Sequence, residues 1–231
     1  MKKYELTAEF IEKWGKKLFR IKALISFGSV EAGELGGYIE KEDNLAHDGN
    51  AWVSGDARVS GNARVSGNAR VSGDAEVSGN AWVYGNAEVS GDARVSGNAR
   101  VYGNARVSGD ARVYGNAWVY GNARVYGDAE VSGDARVYGD AEVSGNADYL
   151  LIGRIGSRFS FTTFFKNKDK GITVSCGCFL GTIAEFRAKV TDTHGNNKHA
   201  KIYNLAADMA ELQILGEEHF DKLNTNKSES F

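Results

Sequence analysis

From Gly49 the chain repeats one six-residue phrase, G-[ND]-A-x-V-[SY], through sixteen consecutive copies that end at Ser144, and a seventeenth, GNADYL, begins to depart from it. A hexad with a small residue two places before an aliphatic one is the repeat of a parallel β-helix, a solenoid in which each hexad supplies one short strand and one corner. Side chains alternate along a strand, so the Ala and Val of each A-x-V share the interior, while x and the Ser or Tyr after Val face outward. Gly followed by Asn or Asp forms the corner, where unusual backbone angles cost these residues little.

The variable positions carry a second period. Aspartate takes the corner at 56, 74, 92, 110 and 128, and tyrosine follows valine at 84, 102, 120 and 138, each series spaced by 18 residues. Eighteen residues are three hexads, so the expected coil is triangular, with three sheets. Each hexad encloses one valine, worth about 1.5 to 3 kcal/mol when fully buried, against roughly 1 to 2 kcal/mol of backbone ordering for every residue. Stability must therefore come from coil stacking on coil, and the open ends require covers.

Over residues 49–147 the hexads resemble the left-handed parallel β-helix of the hexapeptide-repeat acyltransferase superfamily. Left-handedness is what that resemblance implies, against the usual right-handed crossover preference; the right-handed β-helix of bacterial cytoskeletal polymer proteins is the structural alternative. With its flanks the chain also resembles phage and prophage proteins that carry such repeats. The resemblance implies acyl transfer from a CoA thioester at a trimer interface, with a histidine as general base near a loop that leaves the coil. Here the sixteen hexads contain no histidine and no interrupting loop; His47, His194, His199 and His219 all lie outside them. Fold alone does not confer an activity, so acyl transfer ranks below a non-enzymatic scaffold.

The flanks read differently. Residues 1–48 form an N-terminal cap in which YELT and KLFRIKALISF are strand-like. Residues 148–216 form an α+β module: YLLIGRIGS, FSFTTFF and ITVSCGCF predict two or three strands. A helix follows, with Thr182 and Glu185 as a capping box, Ile183, Phe186 and Val190 on its apolar face, and Gly195 at its end. Ile202, Leu205, Ala206, Met209 and Leu212 define the expected apolar face of a second helix that ends at Gly216. Residues 217–231 read as a polar, flexible tail. With 28 basic and 30 acidic residues, no global field draws the chain to nucleic acid or membrane. No run resembles a signal peptide or a membrane span, and the expected location is cytoplasmic.

Three constellations could carry chemistry. Cys176 and Cys178 with His194 and His199 have a zinc-like flavour, but C-x-C is shorter than the usual structural pair, and buried thiols beneath a helix are the favoured reading. The aspartate column at 56 to 128 invites a cation, although corner hydrogen bonds with compensation from Arg58, Arg94 and Arg112 explain it better. No metal, cofactor or catalytic residue is assigned. The third constellation is one coil face. Two faces mix arginine and glutamate, one through Trp52, Arg70, Glu88, Arg106, Arg124 and Glu142, the other through Arg58, Glu76, Arg94, Arg112 and Glu130. The third reads Arg64 with Ser66, Trp82 with Tyr84, Arg100 with Tyr102, Trp118 with Tyr120, and Arg136 with Tyr138, without an acid. A concentrated aromatic surface marks an interaction site, and these residue types dominate binding hot spots. The face is expected to bind another copy of the chain, as a homotrimer or other homo-oligomer, or a foreign protein such as a host enzyme or a defence complex of CRISPR type if the chain is phage-encoded. Single-stranded nucleic acid is the further alternative.

Overall fold

The computed structural model describes residues 1–218, and residues 219–231, with His219 and most of the expected tail, lie outside the described part. The chain is a mainly β solenoid. Sixteen two-residue strands, β4 to β19, occupy one x-Val pair in every hexad from Trp52–Val53 to Glu142–Val143. Each pairs in parallel with the strand 18 residues away, as Arg100 does with Trp82 and Trp118. Three sheets result, and every Ala and Val of the sixteen hexads is at most 1% exposed.

All the coil ladders run one way. A backbone N–H donates to a carbonyl of the following coil, as from Arg100 to Ala117 at 2.9 Å and from Tyr102 to Val119 at 3.0 Å. The first coil is consequently left with carbonyls to satisfy and the last with N–H groups, and an unpaired backbone group away from water is costly.

The cover at each end supplies the chemically opposite groups. At the first coil, β1 (Tyr4–Lys13) and β2 (Lys16–Ala23) form an antiparallel hairpin, and β3 (Leu35–Ile39) joins it to the coil sheet by pairing in parallel with the Arg58–Val59 strand. The Lys3 ammonium donates to the Ala51 carbonyl at 2.8 Å, and the Asn44 amide to those of Ala63 and Gly61 at 2.8 and 3.1 Å. Trp52, outward by its place in the hexad, is only 5% exposed because the cover closes over it, with Phe27 at 5.5 Å and Tyr4 at 6.4 Å between ring centroids.

At the last coil the partners are acceptors. Asn146 Oδ1 accepts from Glu130 N–H at 2.8 Å, Thr163 Oγ1 from Arg136 N–H at 3.2 Å, and the Asp148 carboxylate from Ser144 N–H at 2.8 Å. Burial pushes the Asp148 carboxyl up, but hydrogen bonds from Ser144 and Lys166 outweigh it and hold the group below the usual carboxylate range.

The C-terminal sheet has four antiparallel strands where the sequence predicted two or three: β20 (Tyr149–Ile155), β21 (Ser160–Lys166), β22 (Ile172–Cys176) and β23 (Phe179–Thr182). Helix α1 (Ile183–His194) starts at the expected Thr182–Glu185 capping box, and α2 (Lys198–Leu215) ends against Gly216. Phe186 and Val190 are buried as expected. The apolar face of α2 differs from the sequence reading: Leu205, Met209 and Leu212 are exposed, while Tyr203, Ala207, Ala210 and Ile214 are buried beside Ala206. The alanines permit close approach, and buried Glu211 is held by Arg187 at 2.7 Å, so the packed side is set by fit and an ion pair as well as by hydrophobicity. Among the described residues no helix is long and apolar enough to cross a membrane.

Candidate interaction face

The two mixed faces neutralise themselves. Arg58 pairs with Glu76 at 3.3 Å, Arg112 with Glu130 at 2.8 Å and Arg106 with Glu88 at 3.4 Å, each across one rung. This corrects the expected role of the arginines beside the aspartate column. Arg58 does reach Asp74, at 3.8 Å, but Arg94 and Arg112 turn to glutamates of their own sheet.

The third face has no carboxylate at its outward strand positions, and its arginines use indoles instead. The Arg100 guanidinium lies 4.9 Å from the Trp118 ring and 5.5 Å from that of Trp82, and Arg136 lies 5.0 Å from Trp118 on its other side. A guanidinium over an aromatic face is attracted by the ring quadrupole, by about 0.5 to 1 kcal/mol at exposed sites. Trp118, covered on both sides, is half-buried; Trp82, with Arg100 on one side, is 44% exposed.

Beside this column runs a stack of tyrosines. Tyr84, Tyr102, Tyr120 and Tyr138 lie ring on ring at 4.8, 4.8 and 4.5 Å, with planes within 6° of parallel. The spacing is that of the coil itself, so stacking follows from placing the same residue in successive rungs. Burial, and then the neighbouring hydroxyls of Tyr138 and Tyr102, push the Tyr120 phenol up to about 12; burial also raises Tyr102. The stack stops at Tyr84, because the preceding rung has Ser66.

All nine residues singled out from the sequence, Arg64, Trp82, Tyr84, Arg100, Tyr102, Trp118, Tyr120, Arg136 and Tyr138, thus lie on or beside one five-stranded sheet. Sequence reasoning missed what flanks it. At the N-terminal end a cavity of about 400 Å³ is lined by Glu42, Asp43, His47, Arg64, Ser66 and Trp82. At the C-terminal end another, of about 320 Å³, is lined by Asp134, Arg136, Arg154, Ser160, Thr163 and Ser175. Asp43 and Arg154 come from the covers, outside the repeat, where no periodicity points to them.

The Cys and His residues do not assemble as a zinc site would require. Cys178 falls in the turn after β22 and is exposed, while Cys176 sits near Thr162 and Tyr203. His194 and His199 have ring centroids 5.8 Å apart. Among the described residues no three Cys, His, Asp or Glu side chains form a metal-holding group, the aspartate column included.

A parallel β-solenoid covered at both ends and carrying one acid-free aromatic sheet belongs, as a structural class, with the repeat solenoids. Residues 37–150 match the family model of bactofilin, described as polymer-forming cytoskeletal. That match falls to the cytoskeletal alternative weighed from the sequence and not to the acyltransferase superfamily. No curated protein matches the chain.

Proposed function

We propose that this chain is a non-enzymatic β-helical scaffold that associates with copies of itself through the Arg/Trp/Tyr face. The observation that carries the reading is the contrast among the three faces. Two pair most of their arginines with glutamates one rung away, Arg70 turning to Ser29 instead, whereas the third presents a flat, partly exposed array of indoles, guanidinium groups and stacked phenols without an acid. Stacking along one copy explains part of that array, since cross-strand ladders stabilise any sheet. It does not require that Trp82, Trp118 and four of the six repeat tyrosines be gathered on one side of the triangle, with only Trp52, Tyr114 and Tyr126 elsewhere. The likeness of residues 37–150 to a family described as polymer-forming supports self-association over a foreign partner.

Light scattering of the purified protein across a concentration series tests this. The wild type is expected to self-associate, and Trp82→Ala with Trp118→Ala to be monomeric with an unchanged far-UV spectrum. Association that survives both substitutions sinks the reading. A monomeric wild type that instead captures a foreign protein, single-stranded nucleic acid or CoA assigns the face to that partner.

A further inference from the structure

We propose that the self-contact is antiparallel: two copies pack face to face about a two-fold axis along the strand direction, so that Asp43 of each meets the arginine end of the other. This rests on the reading of the face as a self-contact. Its two ends differ in charge: around the first cavity Glu42, Asp43, Arg64 and Lys2 balance, while Asp134, Arg136 and Arg154 leave the second with one positive charge. At the N-terminal end Glu42 is occupied by Lys2 at 2.7 Å, but Asp43 is exposed at the rim of the cavity beside Trp82. At the C-terminal end Arg136 and exposed Arg154 line one cavity with three hydroxyl side chains, and its acid, Asp134, is engaged by the Asn116 amide at 3.0 Å. Arg64 also borders the first cavity, so the difference between the ends rests on Asp43 and Arg154.

The outward column has a matching symmetry. Arg64, Trp82, Arg100, Trp118 and Arg136 read the same in both directions. A two-fold axis along the strands reverses the column and can set each Arg opposite a Trp, whereas one along the solenoid sets equal rungs opposite each other, so that the column meets either itself, Arg on Arg and Trp on Trp, or the tyrosine stack. With the axis midway between the Trp82 and Arg100 rungs, Trp82 faces Arg100 of the second copy and Arg64 faces its Trp118. Arg136 then comes over the N-terminal cavity, where Asp43 lies. Parallel packing would set Asp43 beside Asp43 and Arg154 beside Arg154, and like charges across an interface are unfavourable.

Area sets how far the contact must reach. Five rungs about 4.8 Å apart and six residues of about 3.3 Å describe a patch of roughly 20 by 20 Å, or about 400 Å² per copy. A stable interface takes about 800 Å² from each partner. The strand positions alone supply about half of that, so a lasting contact must extend into the flanking cavities. A two-fold contact of this kind is self-complementary and uses one patch on both copies.

The test is a charge exchange in the full chain, read by sedimentation equilibrium. Asp43→Arg and Arg154→Asp are each expected to weaken association tenfold or more, because each places like charges at both ends. An equimolar mixture of the two variants is expected to recover wild-type affinity as a heterodimer. A mixture no tighter than either variant alone overturns the antiparallel arrangement, as does Asp43→Arg binding the wild type more tightly than the wild type binds itself, the signature of parallel packing. A wild type that is monomeric at every concentration overturns this proposal together with the function it rests on. Association that resists Trp82→Ala with Trp118→Ala overturns the choice of face whatever the charges do.

Discussion

The side-chain amide of Asn116 donates to the carboxylate of Asp134 at 3.0 Å, and this pair closes a ladder of asparagines, each donating to the next coil. The ladder runs from Asn62 through Asn80 and Asn98 at 3.0 to 3.2 Å. A second, from Asn50 to Asn122, ends in the same way on Asp140. An asparagine both donates and accepts, whereas a terminal carboxylate need only accept. Asn98→Ala is therefore expected to remove two bonds and cost about 1 kcal/mol. Asp134→Asn should be nearly neutral, because its amide oxygen still accepts. Urea unfolding of the two variants checks both.

Glycine at the corners answers to two constraints that one pair of substitutions separates. Gly97 has φ +67°, and a Cβ there would lie 2.9 Å from the Gly115 nitrogen in the next coil; Gly139 has φ +69° with nothing within 4 Å. Gly139→Ala should show only the left-handed backbone penalty, roughly 1 to 2 kcal/mol. Gly97→Ala adds a clash with backbone that cannot move without separating two coils, and should cost clearly more. If the two cost the same, close stacking at the corner is not what demands glycine.

The coil was legible in the sequence because its determinants are local and periodic. Ala and Val of the hexad gave the core, and the 18-residue spacing of Asp and Tyr gave the number of sheets. The asparagine columns share that spacing and could have been read with it. The covers were harder. Lys3, Asn44 and Asp148 work by matching the polarity of an exposed coil edge, and nothing in KKYELT says which way that edge points. Helix α2 shows a related limit: alanines and an ion pair at Glu211 decided which side packs, and periodicity weighed the larger Leu205 and Met209 instead. On the candidate face, the alternation of Arg and Trp was readable. Asp43 and Arg154 reach its ends only through tertiary folding.

The N-terminal cover should leave a mark on the pH dependence of stability. Burial pulls the Lys3 ammonium down from its ordinary 10.5 to about 8. Between those values the unfolded chain binds the proton more than the folded one does, so stability from this group rises as pH increases through that window. Tyr4, buried with its hydroxyl donating to the Glu42 and Leu45 carbonyls, has the opposite sign. Its phenol is pushed above the tyrosine range by burial and then by nearby Glu42 and Asp43, so its contribution is lost as pH rises above the ordinary value of 10.0. Lys3→Met is expected to abolish the rise in stability between about pH 8 and 10 that is expected of the wild type. Thermal unfolding of both proteins at those two pH values measures the difference, and an identical slope would remove Lys3 from the account.

The tyrosine stack predicts an alkaline transition of its own. Tyr120 ionises at about 12 against 10.0 for an ordinary tyrosine, chiefly through burial and secondarily through its stacked neighbours. Because its folded value is raised, the stabilisation linked to this proton is fully present below the unfolded value and is lost as pH climbs through the folded one. Absorbance titration of the phenolate band should therefore show a late step, shared with Tyr203, whose amplitude is smaller by one tyrosine in Tyr120→Phe. That substitution keeps the ring in the stack and removes only the ionisable oxygen, so stability at neutral pH should change by less than about 1 kcal/mol. Its alkaline loss of stability between about pH 10 and 12 should be shallower than the wild type's. An unchanged alkaline limb would mean that other raised phenols, Tyr4 and Tyr203, govern unfolding in that range and that the stack does not couple to it.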